Sequence, residues 1–159
     1  MLPNDDHVAR ICPPSTLTDQ GQVTAGSFSP RPARGSEPAE DSLSVHWLEH
    51  RHPDGTLSEK IGTLRTFLLA SPVLNEFAPK KTGRLAAIPV ALLQGQRVPD
   101  LNVGFDCMHT PRMPDVGDPH SDLHTLDPPM LQWPDDEAFR LAVQQFICDQ
   151  VVLAEPGKV

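Results

Sequence analysis

Four side chains of the kinds that ligate metals fall late in the chain: Cys107, His109, His120 and His124. Cys107-x-His109 at the end of a strand would put a thiol and an imidazole on one face, because alternate strand residues share a side. His120-x-x-x-His124 would share one face of a helical turn, a geometry by which paired histidines bind zinc. A tetrahedral Zn²⁺ held by the four would organise the proline-rich segment between them, with Asp118 and Asp122 close enough in sequence to orient the imidazoles. The spacing matches no specific zinc motif, and Cys107 lies in the apolar register of its strand. The plainer reading is a buried thiol and three loop histidines. The expectation is a chain without a cofactor, zinc being the one candidate.

A second set, His7, Arg10, Cys12, His46 and Glu49, carries the types needed for thiol or acid-base chemistry. A Cys-His pair supplies a nucleophile and its base, and a neighbouring Arg lowers a thiol's pKa. Within one strand His7 and Cys12 point to opposite sides, so a dyad needs the fold to bring Cys12 to His46 or His120. His46-x-x-x-His50 with Glu49 between them superficially resembles H-E-x-x-H, but the Glu is displaced. In an extended chain the two imidazoles stand ~13 Å apart, too far for shared coordination. Trp47 and Leu48 read as core residues.

Other chemistries lose support. The ten glycines are scattered singly, and neither G-x-G-x-x-G, G-x-x-x-x-G-K-[ST] nor G-x-S-x-G occurs. With 21 acidic against 13 basic residues the net charge is −8, a field that repels nucleic acid and anionic lipid. No stretch approaches the length of a membrane span, and the first residues lack a signal peptide's charged and apolar regions. Three cysteines without C-x-x-C spacing argue against a disulfide framework. Together these features fit a soluble protein of a reducing cytoplasm.

The elements that must position these groups follow from pattern. The 159 residues suit a single domain over 1–159, although a hydrophobic fraction of 38% and 18 prolines foretell long loops. His7 to Cys12 reads as a strand ended by Pro13-Pro14, Val23 to Phe28 as a short second one, and 29–42 as an exposed connector. Leu43 to Glu49 reads as a central strand. Thr56-Leu57-Ser58-Glu59 has capping-box spacing, and Leu57, Ile61, Leu64 and Leu68 recur at helical period, giving a helix over 57–70 stopped by Pro72. Leu74 to Phe77 adds a turn. Residues 84–93 read as a buried strand with Pro89 at an edge or bulge, and Leu101 to Cys107 alternates cleanly as a strand. Residues 108–134, with six prolines and three histidines, read as one long loop. Asp135 caps a helix over 136–152, and the tail 154–159 frays. The class is α+β, with a small, mostly antiparallel sheet, two main helices and long proline-rich loops.

His7-Val8-Ala9-Arg10-Ile11-Cys12-Pro13, Ser44-Val45-His46-Trp47-Leu48-Glu49 and Asp118-Pro119-His120-Ser121 together resemble a family of short, uncharacterised bacterial proteins. That family pairs an H-V-x-R-x-C segment with S-V-x-W-L-E and a late D-P-S-H, from which this chain departs with Asp-Pro-His-Ser. The resemblance implies a single bacterial domain with His7, Arg10, Cys12, Trp47 and Glu49 near one site, and no particular activity. Two functions are in contention. One is a small accessory or protein-interaction domain that presents an acidic, proline-rich surface to a larger protein partner. The other is an enzyme with a His/Cys/Glu site, zinc-assisted or thiol-dependent.

Overall fold

In chain order the elements are β1 (His7–Cys12), β2 (Leu43–Trp47), α1 (Leu57–Ala70), β3 (Arg84–Pro89), α2 (Val90–Gln94), β4 (Arg97–Val98), β5 (Val103–His109), β6 (His120–Thr125), α3 (Glu137–Asp149) and β7 (Leu153–Pro156). They come from a computed structural model that describes residues 1–158 other than 32, 34, 37, 39, 41, 72–78 and 127–136. The strands form one sheet in the order β4-β5-β6-β2-β1-β3-β7, with antiparallel pairing throughout. The class is α+β, as the sequence pattern indicates. β2 is interior, held between β6 and β1.

Because opposed residues of an antiparallel pair share a face, the registers sort every strand residue onto one side of the sheet. Val8↔Trp47, Leu43↔Leu123 and Cys107↔Leu123 define the first face, and Ala9↔His46↔His120 and Ser44↔Asp122↔Met108 the second. The first face carries the larger core: Val8, Val45, Leu43, Leu123, Val103 and Phe105 under Val90 and Leu93 of α2 and Val143 and Ile147 of α3. Phe105 stacks on Phe146 of α3 with ring centroids 5.7 Å apart. On the second face Ala9, Leu85 and Ala87 pack under Ile61, Leu64 and Leu68 of α1. α1 thus covers the β1-β3-β7 half of that face.

α1 starts and stops where its signals place it. Thr56 accepts from the Glu59 amide at 3.3 Å while the Glu59 carboxylate accepts from the Thr56 amide at 2.6 Å, closing the capping box. Elsewhere the sequence expectations need correction. The run 84–93 is strand only to Pro89, where the missing amide hydrogen ends the ladder and α2 begins. Val23 to Phe28 is not a strand: Val23 makes an isolated bridge to Leu17 and Ala25–Phe28 is a 3-10 turn. The region 108–134 is not one loop, since His120–Thr125 forms β6 in the sheet interior. Residues 154–156 of the tail do not fray: they belong to β7, which pairs with β3, and Arg65 and Ser58 of α1 bind Glu155. The expected turn at 74–77 and the Asp135 cap lie outside the described residues.

Both sheet edges are short. β4 has two residues, and β7 carries Pro156 together with a Glu155 engaged by α1. Edges of this kind resist further strand pairing.

Candidate functional site

The register splits both constellations. Cys107 and His109 lie on the first face of the sheet and His120 and His124 on the second, so these four cannot surround one ion. His120 and His124 are also strand residues, ~13 Å apart along β6, rather than neighbours on a helical turn. Among the described residues no three His, Cys, Asp or Glu side chains are grouped to hold a metal ion.

The second set divides likewise. Arg10 and Cys12 face the larger core, whereas His7 and His46 face the other way. Cys12 is fully buried, and burial pushes its thiol up to about 11, well away from the thiolate that a nucleophile requires. Neither His46 nor His120 reaches it through the sheet. Arg10 donates Nη1 to the Ser44 carbonyl at 2.8 Å, Nε to that of Ser27 at 3.1 Å and Nη2 to that of Ser29 at 3.3 Å. Its guanidinium therefore pins the segment after the Ala25–Phe28 turn to β2. Burial lowers its pKa, yet the carbonyl dipoles keep it in place as a cation.

His7 and Glu49 do meet. The Glu49 carboxylate accepts from the His7 amide at 2.7 Å, from His7 Nδ1 at 3.0 Å and from Lys60 Nζ at 2.9 Å. Burial works against the charge on Glu49, but these donors outweigh it and hold the carboxyl below its ordinary pKa. Lys60 escaped the sequence reading, although it stands in the first turns of a helix whose start the capping box had located. The cluster ties the ends of β1 and β2 to α1.

The most elaborately built segment is the β5–β6 connection, Thr110 to Pro119. The buried Asp118 carboxylate accepts the backbone amides of Arg112 at 2.8 Å, Met113 at 3.0 Å and His120 at 3.0 Å. Burial opposes its charge, and the three amides prevail, keeping its pKa below the usual carboxylate value. From outside, Arg51 Nη1 donates to the carbonyls of Val116 at 3.0 Å and Gly117 at 2.8 Å, while its guanidinium carbon lies 4.1 Å from the Phe67 ring centroid. Gly117 adopts φ +66°, and a Cβ there would come within 3.2 Å of Arg51 Nη1. Arg112 reaches back to the Ser44 hydroxyl at 3.3 Å.

At the base of this connection two imidazoles oppose each other across β2 and β6. His46 and His120 are cross-strand partners, their ring centroids 5.8 Å apart and their planes nearly perpendicular. His120 Nδ1 lies 2.8 Å from the Thr110 carbonyl, which can only accept, so the proton resides on Nδ1. Thr110 Oγ1 donates to Asp122 Oδ2 at 2.7 Å, and Ser42 Oγ to Asp122 Oδ1 at 2.9 Å. His46 Nδ1 and His120 Nε2 are buried, with no hydrogen-bond partner among the described residues. On the opposite face of the sheet Trp47 and His109 pack with His50, ring against ring at 4.5 to 5.3 Å, with the Trp47 indole donating to Asp6 and His109 Nε2 to the Asp118 carbonyl.

Burial, and then the neighbouring His120, lower the His46 pKa from 6.5 to about 3. Its neutral form is the folded form, whereas the unfolded chain takes up a proton below pH 6.5. Stability from this group is therefore complete above that pH and is lost as pH falls toward 3, at about 1.4 kcal/mol per pH unit. Urea denaturation at pH 7.5 and 5.0 should differ by about 2 kcal/mol from this source. A His46→Asn variant should lose that part of the pH dependence, and an unchanged slope would refute the assignment.

A comparison of the chain with protein-family models, with curated proteins and with solved structures finds no match. Among the described residues no helix is long and apolar enough to cross a membrane.

Proposed function

We propose that this chain is a small cytoplasmic accessory domain, bacterial as its three-segment resemblance implies, that acts without catalysis by docking on a larger protein. One observation carries the reading. On the second face of β5 and β6, Leu126 stands 56% exposed just past β6 and Met108 36% exposed on β5, alongside Asp106, Asp122 and His124. The other face of the same strands is buried under α2 and α3. A sheet face that mixes apolar and acidic side chains fits a protein surface with apolar contacts flanked by basic residues. The protected edges direct docking to the face rather than to strand addition.

Three of the side chains that suggested catalysis support the same view, because Arg10, Cys12 and Glu49 are committed to internal bonds or to the core. The enzymatic alternative has in its favour the His7 imidazole oriented by Glu49. Affinity capture from the native host with the full chain should retain a partner that is lost with Leu126→Glu and Met108→Glu. The partner should survive Leu141→Glu, which changes an equally exposed apolar residue on α3. Equal loss with all three variants, or substrate turnover by the isolated chain, would contradict docking through this face.

A further inference from the structure

We propose that the imidazoles of His46 and His120 form a two-coordinate site for a soft monovalent d10 metal ion, Cu⁺ being the biological member of that class. Buried polar atoms are almost always paired, so two orphaned nitrogens on directly opposed residues of neighbouring strands call for a common partner. His46 is 7% and His120 5% exposed. His120 donates Nδ1–H to the Thr110 carbonyl, which leaves the Nε2 lone pair free and orients the ring as carbonyl-backed metal histidines are oriented. Two metal–nitrogen bonds of ~2 Å in line would set ring centroids roughly 6.3 Å apart, so the rings, now 5.8 Å apart, would separate by about half an ångström on taking up the ion.

The donor set selects the ion. Zinc seeks four ligands, and among the described residues no third His, Cys, Asp or Glu completes such a group. Imidazole suits copper, and a filled d shell with a single charge is satisfied by two nitrogen donors in line. One positive charge is also what the surroundings can balance. Asp122 Oδ1 lies 4.0 Å from His120 Nε2, within reach of a single positive charge held there. The site shares β6 and Asp122 with the docking face, but Met108 and Leu126, whose substitutions test docking, supply no ligand to it.

The test uses full-length untagged chain carrying Cys148→Ser, which removes the half-exposed thiol as a competitor; Cys12 and Cys107 are buried, with thiols raised to about 11 and about 12. Cu⁺ is titrated without oxygen against a chromophoric chelator, and Ag⁺ serves as a redox-silent probe followed by long-range ¹H–¹⁵N spectra of the imidazoles. One equivalent should bind, shifting His46 Nδ1 and His120 Nε2 while the other histidines stay in place. His46→Asn and His120→Asn should each weaken binding at least 100-fold, and His124→Asn should leave it unchanged. Nitrogen resonances of His46 and His120 that ignore Ag⁺, or that respond equally to Zn²⁺, would overturn the proposal. Should the variants not fold, the spectra of the chain with both histidines decide alone.

Discussion

Replacing Arg10 by methionine should lower the unfolding free energy by about 3 kcal/mol or more. Methionine fills similar space on the first face of the sheet but donates nothing, so the carbonyls of Ser27, Ser29 and Ser44 lose their donors together. A carbonyl left buried without a partner costs ~1–3 kcal/mol, and Ser27 is fully buried. For a chain of this size the loss corresponds to a fall in Tm of roughly 6–12 °C. Arg10→Lys should recover less than half of it, since an ammonium cannot reproduce the planar fork that reaches three acceptors. Denaturant midpoints of the two variants measure this directly, and a lysine variant as stable as the parent would show that charge alone suffices.

Asp118→Ala should act more locally. The carboxylate closes the β5–β6 connection by accepting three amides, and hydrogen bonds to a charged group are worth ~1.5–3 kcal/mol each before water replaces them. With water able to enter the opened connection, the expected net loss is about 2–4 kcal/mol. Hydrogen exchange should show the amides of Arg112, Met113 and His120 losing protection while those of β1 and β3 keep theirs. The substitution also removes the one neighbouring charge that favours a protonated His46, so its pKa should stay well below 6.5 and the acid sensitivity of the chain should persist. Uniform loss of protection across the sheet would mean that Asp118 supports the whole fold rather than this connection.

What could be read from the chain and what could not divide along physical lines. α1 was legible to the residue because its start is a local hydrogen-bonding device and its stop a proline. β2 and β5 were legible because apolar residues alternate in each, and β1 because Pro13-Pro14 ends a short run rich in apolar residues. β6 was not: His-Ser-Asp-Leu-His-Thr offers one large apolar side chain, and Ser121 and Thr125 are buried by their neighbours rather than by their own hydrophobicity. β7 was hidden for a related reason, since its four residues have little strand propensity and depend on β3 and α1 for their place.

The candidate site was legible as a set of residues but not as an arrangement. Its partners are far apart in sequence, and only strand register decides which side of the sheet each one occupies. That Glu49 binds His7 follows from β1 and β2 ending side by side. That His46 meets His120 follows from a β2–β6 pairing that no local pattern encodes. Cys12 was separated from both histidines by the same parity, because one residue along a strand is the difference between the two faces.

A photo-reactive amino acid placed at position 108 in the living host tests the docking claim most directly, because Met108 is 36% exposed on the second face of β5. Illumination should join the chain to a second, larger protein, and Leu126→Glu should abolish that product. A chain that forms no intermolecular product at position 108, yet does so from α3, would contradict docking through β5 and β6.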